Sequence, residues 1–592
     1  MGDLSLSGIS FPAQTPLAPD SFLNTPRRTQ QWLKGLAKMP LARIAHQGYK
    51  ALRTLNRSTL PLADRHQVSS LLALPLLHNS QRLEKYFLSL SFPLSEMDHK
   101  LAQLDRALLH EMALACKTLL RDQLHQGGRQ ADLLLSLQQT LQLQLAGLRQ
   151  AALTYHGYPK NFWGETQPVF ALARAAGLAQ KSARNGLSSQ PQRLHAENLY
   201  KQILLLGLSD HYRLRQQDIL TILNHLPSWA EATELTETGP ANGDCDGLFS
   251  LDLQRNRPPL HLSLLAANQA AQPQLLLDAR PLLQRLRELR NQAQWNNLTG
   301  QYESQGLTGK TLDHLGLVWR TVPPRSDSRT DLHFELTMVV GLGQICSLLQ
   351  SIQLEQPRPP MGVLADISQR SASPDNWVAE PEVGLAEEPR SQPYLGMDLG
   401  QIDEQIYLAQ DSSFHACGWQ EERKASLQNY SLVNQSSRGY CIRWNTQNAP
   451  AIKLGELLGI RDDDNPQRFG LGISRWMKYE NEYSLLGIAL IARDCQPIQA
   501  RLAHNDNSPI HPCLLLDPAE GEDTPRLAAP PLAFRAGQEV SLFDSLSQTQ
   551  IRLLDLIEGS AAFNLFSYEE SGLTYGDGHD LTQPLADQRT DP

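Results

Sequence analysis

Cysteine is scarce in this chain, and what there is does not cluster. The seven thiols, Cys116, Cys245, Cys346, Cys417, Cys441, Cys495 and Cys513, are odd in number and form no CxxC pair. That spacing supports neither a disulfide framework nor a zinc site, and it favours a reducing, cytoplasmic setting. Long apolar runs are missing as well. Stretches such as Leu71 to Leu77 fall far short of the roughly 20 residues of a membrane span. The opening MGDLSLSGISFPAQTPLAPD has neither a basic start nor an apolar centre, so no signal peptide is expected. There is no basic excess either. A net charge of −9 argues against a DNA-coating surface, whereas a small anionic ligand needs only a local basic pocket. Catalytic signatures are absent too. There is no GxSxG, His110-Glu111 lacks the second histidine of HExxH, and no carboxylates fall in a metal-like spacing. The chain is expected to be no enzyme, with no catalytic residues, no metal and no cofactor.

What is present describes a large globular protein. Its 592 residues suffice for about three or four domains. Hydrophobic residues make up 41% and charged residues 19%, which excludes wholesale disorder. Residues 1–26, rich in Pro, Ser and Thr, read as an extended N-terminus. Residues 27–233 read as a helical domain, with apolar side chains at three- and four-residue spacing. Leu101, Leu104, Leu108 and Met112 make one stripe, and Leu133, Leu137, Leu141 and Leu145 another. Pro61, Gly127-Gly128, Pro159 and Ser188 to Pro191 punctuate the helices. The aromatic cluster at 155–163 (YHGYPKNFW) and Trp229 read as packing anchors between helices.

Residues 234–247 read as a linker, and 248–318 as a mixed α/β connecting segment. Phe249, Leu251 and Leu253 alternate as in a strand, and Leu275 to Leu289 reads as a helix. Gly306-Leu307-Thr308-Gly309-Lys310-Thr311 imitates a nucleotide-binding P-loop. The motif requires glycine where this chain has Ser304, and a buried strand where it has the polar WNNLTGQYESQ. A triphosphate-binding loop is not expected there.

Residues 319–500 carry the clearest pattern. Leu332, Phe334, Leu336, Met338 and Val340 alternate with other residues, the mark of a half-buried strand. After the Gly341-Leu342-Gly343 turn, Ile345, Leu348, Leu349 and Ile352 fall on one helical face. A Pro-rich and acidic stretch at about 355–415 reads as a long, mostly loop insertion. Strands resume before Asn434-Gln435-Ser436-Ser437-Arg438-Gly439, which reads as a polar turn. They continue through Tyr440 to Trp444, Leu457 to Ile460, Gly472 to Tyr479 and Tyr483 to Arg493, giving about six strands, the size of a small barrel. A second small β-domain is expected at 507–575, from runs at Cys513 to Leu516, Glu539 to Leu542, Gln550 to Leu556 and Phe563 to Tyr568. Residues 576–592 read as a disordered tail.

Two motifs give the 319–500 region a resemblance. Arg325-Ser326-Asp327-Ser328-Arg329 precedes its first strand, and Asn434-x-Ser436-x-x-Gly439 follows the next. RxxxR followed by [D/N]xSxxG resembles the PilZ family, whose members are six-stranded barrels that bind the bacterial second messenger cyclic di-GMP. Gly455-Glu456, Ile473 to Trp476 and Gly487-Ile488 stand where that family has a Gly-acid pair, a Trp-containing strand and a Gly-Ile strand. The resemblance implies cyclic di-GMP as ligand, with Arg325, Arg329, Asn434, Ser436 and Gly439 as its site. Guanidinium groups bond phosphate and the guanine O6/N7 edge through two parallel hydrogen bonds and stack on bases. There are two departures. About a hundred residues separate the two motifs, so the insertion must fall between them, and Asn434 replaces the frequent aspartate.

The whole chain therefore reads as a multidomain α+β protein. A helical N-terminal region precedes a PilZ-like six-stranded barrel with a long insertion, and a second small β-domain follows. The resemblance implies a cytoplasmic receptor whose barrel senses cyclic di-GMP and whose helical region docks a protein partner, without DNA binding or a membrane span. The alternative is a PilZ-like interaction scaffold that binds no ligand.

Overall fold

The computed structural model describes residues 6, 8–88, 92–184, 186–187, 193–237, 244–266, 275–296, 301–321, 330–331, 335–355, 427–436, 438–444, 452–461, 469–480, 483–503, 507–517, 524–543 and 548–574. The expected turn at 188–191, the insertion beyond Glu355 and the C-terminal tail lie outside these residues.

Among the described residues, eight α-helices form the N-terminal region: α1 (Pro26–Leu36), α2 (Leu41–Asn56), α3 (Leu62–Leu83), α4 (Glu96–Gln126), α5 (Gln130–Leu153), α6 (Phe162–Ala175), α7 (Ala196–Gly207) and α8 (Gln216–Glu231). The long α4 is the centre of the bundle and packs against α2, α3 and α5. Ser95 caps its start by accepting from the Asp98 amide. Gly127, in the left-handed region at φ 73°, ends it and lets the Gly128 amide donate back to the Gln123 carbonyl. The stripe Leu101, Leu104, Leu108 and Met112 is buried, as are Leu137 and Leu141. Tyr155, Phe162, Trp163 and Trp229 are buried between helices, and the Tyr155 hydroxyl donates to the Leu214 carbonyl at 3.0 Å. No helix among the described residues is long and apolar enough to cross a membrane.

The connecting segment holds two small sheets. Glu234–Thr236, Leu275–Asp278, Leu248–Leu251 and Leu260–His261 pair in that order. Gln294–Asn296, Gln301–Ser304 and Leu307–Thr308 form the other sheet. The helices are α9 (Leu262–Ala266), α10 (Arg280–Asn291) and α11 (Gly309–Val318). The stretch read as one helix from Leu275 to Leu289 is thus a strand followed by α10. Leu275, Leu276 and Leu277 are all buried inside the four-stranded sheet. Asp278 then accepts from the Arg280 amide at 2.9 Å, which starts the helix there.

The first barrel is built from β1 (Glu335–Val340), β2 (Gln428–Ser436), β3 (Gly439–Trp444), β4 (Leu457–Arg461), β5 (Phe469–Glu480) and β6 (Tyr483–Ala492). All neighbours are antiparallel in the ring β1-β2-β3-β6-β5-β4, which closes where β4 pairs with β1. Between β1 and β2 runs α12 (Leu342–Glu355). The second barrel closes β7 (Cys495–Leu502), β8 (His511–Leu516), β9 (Arg526–Ala529), β12 (Asn564–Thr574), β11 (Gln548–Gly559) and β10 (Glu539–Phe543) in that order. It includes β7, a strand that precedes the 507–575 stretch.

Two apolar clusters join these parts. One runs from the bundle through the connecting segment into the first barrel, where Leu336, Met338, Ile442, Trp444 and Leu486 belong to it. The other lies between the barrels. Ile345, Cys346 and Leu349 of α12 pack there with Val339, Leu457 and Phe469 of the first barrel and Leu514 and Phe563 of the second. The Cys346 thiol donates to the Cys513 carbonyl at 3.5 Å. The bundle also touches the first barrel through backbone. The Tyr479 amide donates to the Tyr155 carbonyl at 2.7 Å, and Phe92 pairs with Ile452.

Candidate functional site

The motif NQSSRG is not a turn over its whole length. Asn434, Gln435 and Ser436 are the last residues of β2, Arg438 lies in the connection, and Gly439 opens β3. The hairpin is set by register: Ser436 pairs with Gly439, Gln435 with Tyr440 and Asn434 with Cys441. A bulge between Leu432 and Asn434 shifts the strand just before the motif, which re-aims the residues that follow.

Gly439 has a structural reason to be glycine. A Cβ at this position would lie 2.1 Å from the Ile488 carbonyl oxygen on β6. No side chain fits there without breaking the β3–β6 pairing. Gly487 is a similar case: its Cβ would fall 1.8 Å from Nε1 of Trp476, so the indole occupies the space a side chain would need. The turn before β4 is tied down by Ser474 of β5. It donates to the Lys453 carbonyl at 2.7 Å and accepts from the Glu456 amide at 3.0 Å.

Asn434, Ser436 and Gly439 line one wall of a cleft of about 560 Å³, together with Ser474, Arg475 and Trp476. That volume lies within the range of small-molecule sites. Arg325 and Arg329 lie outside the described residues. The described chain resumes with Thr330 paired to Gln435 and Asp331 paired to Asn434, so the strand after the arginine motif runs beside the second motif.

The facing wall comes from other parts of the molecule. The stretch leading into α8 contributes Arg213, Arg215 and Asp218, α11 contributes Lys310, Asp313 and His314, and the turn after β11 contributes Gly559 and Ser560. Most of these charges are matched. Arg215 pairs with Asp218 at 2.8 Å, Arg213 with Asp210 at 3.0 Å, and Asp313 with Arg290 at 2.9 Å. His314 donates from Nε2 to the Ser209 carbonyl at 3.0 Å, and burial pushes its pKa down, which keeps it neutral. Glu558, on β11 of the second barrel, serves two cations at once. Lys310 approaches it at 2.5 Å, and Arg475 makes two bonds of 2.5 and 2.7 Å. Burial alone would raise the Glu558 pKa, but the two cations and their hydrogen bonds outweigh it and hold the pKa at about 2. The Lys310 side chain is 58% accessible because it faces the cleft. Partial loss of solvent and the nearby Arg475 push its pKa down. Among the described residues, no group of three or more His, Cys, Asp or Glu could hold a metal ion.

Three of the five residues expected from sequence are therefore together on one cleft. Sequence reasoning missed Arg213, Arg475 and Lys310 as members of it, and Glu558 as the acid that pairs with the last two. No local pattern marks Arg213, Arg475 or Glu558. Lys310 stood in the P-loop imitation, which folds as a tight turn with Gly306 at φ 80°, followed by the start of α11 capped by Thr308. The lysine was visible there, under a motif for a different chemistry.

Three family models match successive parts of the chain. Residues 27–241 match the family model "Cyclic-di-GMP receptor FimW, N-terminal domain". Residues 248–497 match "Cyclic-di-GMP receptor FimW, middle PilZ domain", and residues 498–571 match "FimW C-terminal beta-barrel domain". Among curated proteins, the cyclic-di-GMP receptor FimW of Pseudomonas aeruginosa is 26% identical over 541 residues, which span 88% of this chain and 86% of that protein. No solved structure matches the chain. With the three domain models of one family matched in order from residue 27 to 571, and Asn434, Ser436 and Gly439 of the second motif brought to one cleft, the chain belongs to the PilZ-domain family of FimW-type proteins.

Proposed function

We propose that this protein is a cytoplasmic cyclic di-GMP receptor and not a catalyst. The observation that carries the reading is the convergence of Asn434, Ser436 and Gly439 on a cleft also lined by Arg213, Arg215, Lys310 and Arg475. The ligand carries two phosphates and two guanines. Guanidinium groups from Arg325 and Arg329, on the segment that leads into the strand beside Asn434, would clamp a phosphate and a guanine edge. Asn434 and Ser436 would supply short polar groups, the amide able both to donate and to accept. Gly439 contributes by letting β3 and β6 approach closely, which brings this wall of the cleft into place.

The finer part of the proposal is coupling. The wall facing the motif belongs partly to the helical region, through Arg213 to Asp218. A ligand in the cleft would touch both sides, so the helical region is where a protein partner would register the bound state. Isothermal titration of the full chain with cyclic di-GMP tests the receptor reading. Saturable binding is expected, with ATP and GTP far weaker. Equal affinity for an ordinary triphosphate, or no heat with cyclic di-GMP, would overturn it.

A further inference from the structure

Within the cleft, charge is unevenly satisfied. Arg215 and Asp218 neutralise each other, as do Arg213 and Asp210. Lys310 and Arg475 share a single carboxylate, that of Glu558. The triad thus holds a surplus positive charge at the cleft. An ammonium has three N–H donors and a guanidinium has five. The triad uses one from Lys310 and two from Arg475 on Glu558. Lys310 is also accessible, whereas Glu558 is largely buried. A buried acid that holds two cations in place at the edge of an open cleft is the arrangement of a preformed anion site.

We infer that Lys310 and Arg475 bind ligand phosphate in this cleft, and that Glu558 competes with the ligand for them. The inference rests on the receptor reading above. Its residues come from three separate parts of the chain: α11 in the connecting segment, β5 of the first barrel and β11 of the second. A phosphate that draws Lys310 and Arg475 toward itself weakens their bonds to Glu558. Ligand binding is then felt at the contact between the two barrels, a route separate from the helical wall.

The competition predicts opposite signs. In calorimetric titrations of the full chain with cyclic di-GMP, Lys310→Met should weaken binding about tenfold or more, the loss of one charge-assisted hydrogen bond. It should also reduce the dependence of affinity on salt. Lys310→Arg, which keeps the charge, should bind within a few-fold of the parent. Glu558→Gln should bind more tightly than the parent even though it melts at lower temperature. If the parent binds while Lys310→Met and Glu558→Gln bind equally well, the triad is only structural and this inference fails, with the receptor reading intact. Weaker binding in both variants, in step with lower melting temperatures, overturns it in the same way. A parent chain that does not bind cyclic di-GMP removes the receptor reading and this inference together.

Discussion

The two barrels share a plan and differ in what interrupts it. Each closes six antiparallel strands. The second is filled by Phe534, Val540, Ile551, Leu553 and Phe566, a plain apolar interior. In the first, β3 and β6 carry Gly439 and Gly487 at points where a carbonyl and an indole come closer than any Cβ allows. The contrast separates two jobs. Closing a barrel takes alternation and bulk, which both have. Building a binding wall takes places where a strand is stripped of its side chain, and Gly439 and Gly487 supply these beside the motif hairpin. The second barrel contributes to the cleft differently. It lines it with Gly559 and Ser560, and the preceding Glu558, next to a register shift between Leu556 and Glu558, holds the lining residues Lys310 and Arg475.

The largest expected effect comes from placing a side chain where the first barrel has none. Gly439→Val drives a Cβ against the backbone of Ile488, which cannot give way without losing strand pairing, and should cost ~3 kcal/mol or more. Gly537 in the second barrel offers the control. It has a positive φ of 84° but nothing within 4 Å of its Cβ, so Gly537→Ala should cost only ~1 kcal/mol. Chemical denaturation of the two variants measures both. Similar losses would erase the distinction between the barrels.

The next effect concerns pH. The Glu558 carboxyl is held at about 2 in the folded chain, against an ordinary 4.5. A lowered carboxylate pKa adds stability that is fully present above the unfolded value and is lost as pH falls through the folded one. The window therefore lies between about pH 4.5 and 2, and the contribution is on the order of 3 kcal/mol. Stability measured against pH should fall steeply in that window for the parent chain and less steeply for Glu558→Gln. Superimposable profiles would show that the bridge between the barrels contributes nothing.

The smallest effect is at Ser436. Its hydroxyl lies 3.5 Å from the Gly439 carbonyl, too long to matter for folding. Ser436→Ala should leave the melting temperature unchanged and weaken cyclic di-GMP binding by about 1 kcal/mol, the worth of one neutral hydrogen bond. A drop in melting temperature without a change in binding would make Ser436 a hairpin residue and not a site residue.

Much of the fold was legible from the period of its apolar residues. Period 3.6 marked α4 and α12, and alternation placed β1, although that strand is covered on both faces, with Thr337 and Val339 buried as well as Leu336 and Met338. Strands were missed where that signal fails, with both faces covered or the run short. All four residues of β9 are buried, so Arg526–Ala529 shows no alternation. Leu275 to Leu277 read as a helix because three consecutive leucines fit either period until a neighbouring strand is known. The candidate site divides along the same line. Asn434, Ser436 and Gly439 are close in sequence and carry a motif. Lys310, Arg475 and Glu558 meet only through tertiary packing across some 250 residues, and nothing local announces them.

The central claim is that the paired motifs form a cyclic di-GMP site, and the arginines test it most directly. Arg325→Ala/Arg329→Ala should be titrated with cyclic di-GMP beside the parent chain, with melting temperatures recorded for both. The account predicts that binding is abolished while the melting temperature holds, since each lost guanidinium removes charge-assisted bonds worth roughly 1.5–3 kcal/mol. Undiminished binding in the double variant would contradict it and place any ligand site elsewhere in the molecule.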